Sequence, residues 1–397
     1  MDCDILIVGA GAAGLFCAGS IAGAGTGARV VVIDHARAAG EKIRISGGGR
    51  CNFTNLATAR DRFLSENPRF AASALAGFSP RDFVALVDGA GIGWHEKTLG
   101  QLFCDGRATQ ITDLLIRRMR GADLWLETSL QSLERGADGF TAQTSRGVVR
   151  ARAVVVASGG KSIPKMGASG LAYDLARQFG LSLHETRPGL VPLTFAEQEL
   201  ALTKPLAGVS VEAEISHGKT RFRDALLFTH RGLSGPAVLQ ISSFWRPGEE
   251  ITVDLAPGAD LGRALRDRRG QGGRVGVPTV LGGHLPARLA EAIAAELGLS
   301  GARLADLNNA ALDRISARVH RWKIRPVGSE GYRTAEVTVG GIDTRGIDAK
   351  TMQARDVPGL YFIGECLDVT GWLGGYNFQW AWASGHAAGL SLAGVLR

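Results

Sequence analysis

The chain has 397 residues, enough for two or three domains, and its 45% hydrophobic content supplies substantial cores. Its 55 glycines follow no three-residue period, which excludes a collagen-like fibre, and its five cysteines contain no C-x-x-C pair, which points to reduced thiols in a cytoplasmic protein. The net charge is +7, but the basic residues are scattered along the chain, so a solvated arginine-rich surface is expected rather than a nucleic-acid partner.

The N-terminus is apolar but carries Asp2 and Asp4 and is soon broken by glycines, unlike a signal peptide or a membrane span. Ile5 to Val8 form a continuous apolar run, the pattern of a strand buried on both faces of a parallel sheet. Gly9, Gly11 and Gly14 follow as G-x-G-x-x-G, with Ala12 and Ala13 inside the motif, and a helix begins there. The unpaired N–H groups and positive dipole end of such a helix suit a pyrophosphate. Arg29 to Ile33 give a second strand, and Asp34 follows where an acid would bond ribose hydroxyls. Strand, glycine turn, helix, strand and acid in that order predict dinucleotide binding.

The next stretch contains Ser46, Gly47, Gly48, Gly49, Arg50, Cys51 and Asn52, a loop whose bare backbone can approach a cofactor. Lys42, Arg44 and Arg50 add positive charge suited to its phosphates. Cys51 reads either as a small packed residue or as a redox thiol. Residues 56–122 read as helical, with Ile111, Leu114, Leu115 and Met119 on one face and His95 and Glu96 in a loop. Short strands follow from Leu124, and the last of them, through Val154 to Val156, returns to the main sheet. It ends at Ser158, Gly159 and Gly160, a second delivery of glycine backbone to the sheet edge.

From about residue 191 to 334 a different unit is expected, β-rich over 191–256 and helical over 260–325. Separate strands are read at Thr220 to Phe222 and Ala225 to Phe228, and Leu304, Leu307, Ile315, Val319 and Trp322 are read as one helical face. His230 lies before a helix opened by Pro236 and reads as a structural histidine or an acid–base group. No metal-ligand spacing or nucleophilic triad is visible. The chain then returns to the first domain, 1–190 with 335–397. AEVTVGGI reads as a strand and then a glycine turn. Gly359 to Ile363 is a strand ending at Gly364 and Glu365, the latter placed to bond ribityl hydroxyls. Gly374 and Gly375 precede a small-residue helix starting near Asn377. Three distant segments at one sheet edge point to FAD rather than NAD, and a helix N-terminus near the flavin would stabilise its reduced form.

The motifs SGGGRCNFTN, THRGLSGPAVLQIS, AEVTVGGI and GLYFIGECLDVTGWLGGYNFQWAWASG closely resemble the BaiN/YhiN-type family of bacterial FAD-dependent flavoproteins, across essentially the whole chain. The resemblance implies an α/β fold: a glutathione-reductase-like Rossmann domain of parallel sheet plus β-meander, interrupted by a β-barrel-like and helical insert. It also implies noncovalent FAD touching Ser46 to Asn52, Leu130, Gly159, Gly160, Gly364, Glu365 and Gly375, Tyr376, Asn377 and Phe378. Two features depart from the family pattern: Gln101 to Cys104 replace G-R-x-F-P, and Asp34 stands where Glu is common. The leading expectation is an oxidoreductase passing hydride from flavin N5 to a small organic substrate, with NAD(P)H as the donor. His230, Cys51 and Tyr376 are the candidates for proton delivery. The alternatives are a flavin-dependent RNA-modifying or RNA-binding protein, motivated by the basic charge, and a flavin binder without turnover.

Overall fold

The computed structural model describes residues 1–272 and 274–395. Gly273, Leu396 and Arg397, which the expected domain ranges include, lie outside the described residues. The chain divides into two compact units, Met1–Arg187 with Val337–Arg397, and Pro188–Glu336.

The first unit is built on a seven-stranded sheet. Strand β1 (Asp2–Val8) leads into helix α1 (Ala12–Gly23) and strand β2 (Val30–Ile33). Ile5, Leu6, Ile7 and all four residues of β2 are buried, because β1 pairs in parallel with β2 on one side and Gly147–Val156 on the other. Asp123–Trp125 extends this sheet beyond β2, so LWLET adds a parallel edge strand rather than a strand of the meander. The meander itself is Leu130–Arg135, Phe140–Thr144 and Gly147–Val156. The last of these strands changes partner along its length. Its first half pairs antiparallel with Phe140–Thr144, and its buried Val154 to Val156 pair in parallel with Leu360–Phe362.

The C-terminal helix Tyr376–Val395 lies on α1, as a stripe of small residues requires. A Cβ on Gly385 would come 2.6 Å from the Ala13 carbonyl oxygen, and one on Gly389 2.6 Å from the Ser20 Cβ. Trp380 and Trp382 are fully buried on this helix, and their indole N–H groups donate to the carbonyls of Gly364 and Phe53 at 3.0 and 2.8 Å.

Several local expectations are corrected. Residues 56–122 are not uniformly helical: Trp94–Glu96, Gln101–Cys104 and Asn52–Asn55 form a three-stranded antiparallel sheet, which puts His95 and Glu96 in a strand. The helices that do occur there include Pro80–Gly89, opened by a Ser79–Asp82 capping box, and Thr109–Arg118, which buries Ile111, Leu114 and Leu115. AEVTVGGI does not turn at its glycines. The strand Val337–Ile342 runs through both, and Gly340 (φ 81°) lets it lie against the Glu185 backbone.

The second unit holds a seven-stranded antiparallel sheet in the order Trp322–Ile324, Ile251–Asp254, Ser210–His217, Thr220–Thr229, Gly232–Ser234, Leu193–Thr194, Gly328–Ser329. Thr220–Thr229 is one strand, not two, because Asp224 takes its place in the ladder opposite Ala213. The apolar face read over residues 304–322 spans three elements instead: a 3-10 turn at Leu304–Asp306, a helix at Asn309–His320 capped by Asn308, and Trp322 in a strand.

Candidate functional site

The first glycine turn is fixed by backbone approach. Gly9 has φ 114°, and a Cβ there would overlap the Ala157 carbonyl oxygen; a Cβ on Gly14 would overlap the carbonyl oxygen of Gly9 itself. Gly11 differs: it is the N-cap of α1, and a Cβ on it would meet only open space. No side chain caps α1 and no acid stands in its first turn, so the N–H groups of Ala12, Ala13 and Gly14 face an open position suited to an anion. Asp34 ties this turn to the end of β2. Its carboxylate accepts from the Ala10 N–H at 2.7 Å and the Ala36 N–H at 2.8 Å, leaving lone pairs for hydroxyl donors. Leu130 is half-buried, two residues beyond Thr128, whose N–H donates to the Asp34 carbonyl at 2.8 Å.

The second glycine loop begins as the helix Glu41–Gly49 and leaves helical geometry at Ser46. Gly47, Gly48 and Gly49 have φ of 57°, 67° and 84° in succession, a path that favours glycine. Gly47 packs against the Phe103 ring, whereas a Cβ on Gly48 or Gly49 would meet nothing. Ser46 Oγ donates back to the Ile43 carbonyl, and exposed Arg50 and half-buried Asn52 flank Cys51. Cys51 is corrected as a redox candidate. It is fully buried, and burial pushes its thiol far above the ordinary range, so it does not present a thiolate.

At the exit of the central strand the Ser158 hydroxyl is buried without a hydrogen-bond partner, beside Gly159 with φ 74°. Gly160 is required because a Cβ would overlap Thr338 and come 2.7 Å from Glu365 Oε1. Glu365 is held tightly: it accepts from Lys42 Nζ at 3.1 Å, Ser162 Oγ at 2.8 Å and the Thr338 N–H at 3.0 Å. Lys42 also donates to Ser162, and Lys42 and Glu365, singled out separately for cofactor contact, thus hold each other. Ser162 and Thr338, which complete this cluster, carry no sequence signal beyond their neighbouring glycines. Gly364 (φ 74°) places its Cα against the first turn of α1, where a Cβ would be 3.0 Å from Ala13.

The third glycine pair packs onto the second loop. Gly374 accepts from Asn55 Nδ2 at 2.8 Å, and Gly375 lies against the Thr54 carbonyl and Asn52. Both have positive φ, 108° and 95°, and the C-terminal helix starts at Tyr376. Tyr376 is buried between Phe63 and Trp372, and burial raises its phenol above the ordinary value. Asn377 spends its amide inside the chain, accepting from the Gly371 N–H and donating to the Gly371 and Trp372 carbonyls. Phe378 is half-buried and stacks on Trp382. The residues read as a cofactor site in three distant segments thus share one locus. His230 belongs to the second unit, where it is exposed in a two-residue turn between Thr220–Thr229 and Gly232–Ser234, with a strand between it and the helix it was expected to precede.

The description HI0933-like protein Rossmann domain matches residues 3–391. The chain belongs to the HI0933-like family. Two relatives, from Escherichia coli and Haemophilus influenzae, are 48% identical over 392 residues and 43% identical over 396; each comparison covers 98% of this chain and 98% of the relative. Both relatives are named ribosomal RNA dihydrouridine synthase. This overturns two expectations, the small organic substrate and the absence of a nucleic-acid partner. Scattered basic residues were read as a solvated surface, yet residues scattered in sequence can be neighbours in a fold. A quinol-fumarate reductase structure aligns with a TM-score of 0.52 at 16% identity, over 99% of this chain and 71% of that one, a likeness of fold.

The chain is an enzyme of a flavin-dependent oxidoreductase family, with FAD as the cofactor. The residues present fit that group: an uncapped helix N-terminus, open space over Gly11, Gly48 and Gly49, and the unspent Ser158 hydroxyl. Among the described residues, no helix is long and apolar enough to cross a membrane, and no cluster of His, Cys, Asp and Glu could hold a metal.

Proposed function

We propose that this protein reduces uridine to dihydrouridine in ribosomal RNA, using FAD as resident cofactor and NAD(P)H as reductant. The observation that carries the reading is 48% identity, over 98% of both chains, to a relative with that named activity. When bound and reduced by the donor, the flavin would supply the hydride that, together with a proton, saturates the 5,6 double bond of uracil. The chain's own residues hold and orient. The α1 N-terminus, with Gly9, Gly11, Ala12, Ala13 and Gly14, receives the pyrophosphate, assisted by Ser158. Asp34 bonds the ribose, with Leu130 alongside. The loop Ser46 to Asn52 and the residues Gly159, Gly160, Gly364, Gly374 and Gly375 line the cofactor with backbone. Glu365 and Lys42 set the rigid floor between them. Tyr376 keeps its proton at neutral pH, because burial raises its phenol, and is the proton donor this locus offers. The same reading keeps a discontinuous FAD domain, 1–190 with 335–397, around an insert of 191–334.

The test uses purified, FAD-loaded protein, ribosomal RNA transcribed without modifications, and NADH or NADPH. The expected result is dihydrouridine among the digested nucleosides, detected by mass spectrometry, in the presence of protein and donor together. No dihydrouridine with either donor or with chemically reduced protein would overturn the reading.

A further inference from the structure

Beside the glycine locus, the first unit carries a cationic and aromatic shelf to which the cofactor reading gives no role. The strands Phe63–Leu64 and Thr370–Gly371 pair antiparallel and bring the 3-10 turn Arg60–Arg62 next to the turn that enters Gly374 and Gly375. Trp372 is pinned there: its N–H donates to the Arg62 carbonyl at 3.0 Å, and its own carbonyl accepts from Asn377 Nδ2 at 3.3 Å. The Arg62 guanidinium lies 4.4 Å from the centroid of the Trp372 ring. Both side chains remain partly open to solvent, Arg62 by 37%.

A cation stacked on an exposed indole contributes roughly 0.5–1 kcal/mol to a fold. That modest gain does not account for the unspent capacity here. Arg62 Nε is buried without a hydrogen-bond partner, and the Asp61 carboxylate, 3.7 Å away, is itself 68% exposed. Arg60 is exposed and, among the described residues, forms no ion pair. An enzyme that works on a base must draw it out of its stack, and the neighbouring nucleotide then needs a new π partner and a countercharge for its phosphate. Trp372 lies two residues before Gly374, at the end of the locus where the C-terminal helix begins.

We infer that Trp372 and the Arg62 plane stack a nucleobase of single-stranded ribosomal RNA next to the target uridine, while Arg60 holds its phosphate. This inference rests on the ribosomal RNA reading above. It is tested by the affinity of FAD-loaded protein for a labelled single-stranded rRNA fragment, with flavin absorbance as the check on cofactor loading. Trp372→Ala is expected to weaken binding about tenfold or more and Trp372→Phe to restore most of it, as lost and regained stacking require. Arg60→Ala is expected to flatten the salt dependence of log Kd by about 0.7, the share of one single-strand phosphate. Unchanged RNA affinity in Trp372→Ala and Arg60→Ala, with wild-type protein still forming dihydrouridine, would overturn the shelf and leave the ribosomal RNA reading standing. Wild-type protein that neither binds nor modifies RNA would sink both. Should Trp372→Ala lose its flavin, Trp372→Phe and Arg60→Ala decide the matter.

Discussion

Two glycines three residues apart carry opposite loads. Gly14 has no room for a methyl group because the Gly9 carbonyl occupies it, whereas Gly11 faces open space with an ordinary φ of −82°. Gly14→Ala is therefore expected to push α1 off the sheet and lower the stability of the cofactor-free protein by about 1–3 kcal/mol. Gly11→Ala should leave that stability unchanged to within about 0.5 kcal/mol and weaken FAD binding instead, since the methyl group points where the pyrophosphate is read to lie. Denaturant melts of the apoprotein and a flavin titration separate the two. Equal loss of stability in both variants would contradict the assignment. The cysteines allow a parallel test. All five are buried, and burial raises Cys104 to about 11 and Cys366 to about 12. None is expected to react with a thiol reagent at neutral pH until the protein unfolds, and Cys51→Ala should keep the activity. Rapid labelling of Cys51 in the native protein would restore its candidacy as a redox group.

At the scale of elements, the C-terminal helix couples the cofactor turn to the core. His386 projects from it into a nest formed by Phe16, Phe78 and Ser20, with Arg118 and Asp82 as the charged groups that face it. Burial, and then the Arg118 charge, lowers its imidazole pKa, against a smaller opposing pull from Asp82. Below the ordinary value of about 6.5, the unfolded chain binds a proton that the native protein declines, so stability falls as pH falls through that window. His386→Phe is expected to remove this part of the pH slope while filling the same aromatic nest, measured as unfolding free energy between neutral pH and pH about 5. An unaltered slope would assign it to other groups. The β1–α1–β2 unit was legible because a buried parallel strand, a glycine fingerprint and an acid each leave a local mark. The strand Trp94–Glu96 was not. It is only three residues long, its glycine-rich flanks read as a loop, and only its pairing with Gln101–Cys104 makes it a strand. The Lys42–Glu365 pair was equally hidden: both residues were singled out, but a contact spanning 323 positions has no local signature.

For the whole molecule, the cofactor was legible and the substrate was not, and charge explains the difference. A flavin is held by backbone geometry that dictates glycines at fixed spacings, whereas a long polyanion is held by arginines gathered from anywhere in the chain. The net charge of +7 was therefore visible while its arrangement was not, and exposed cations such as Arg60 stand far in sequence from the indole of Trp372 that Arg62 covers. If RNA is bound through such contacts, its affinity must depend on salt in a way that flavin affinity does not. For three phosphate contacts to a single strand, raising monovalent salt fourfold is expected to weaken RNA binding on the order of tenfold, through release of condensed counterions. The FAD of the same protein, proposed to be held by backbone donors and a helix N-terminus, should stay bound across that range. Filter binding of an rRNA fragment and flavin absorbance after gel filtration, measured on one sample at each salt concentration, provide the comparison. Salt-independent RNA affinity would mean that the phosphates are not being read and would remove charge from the account of how this protein finds its substrate.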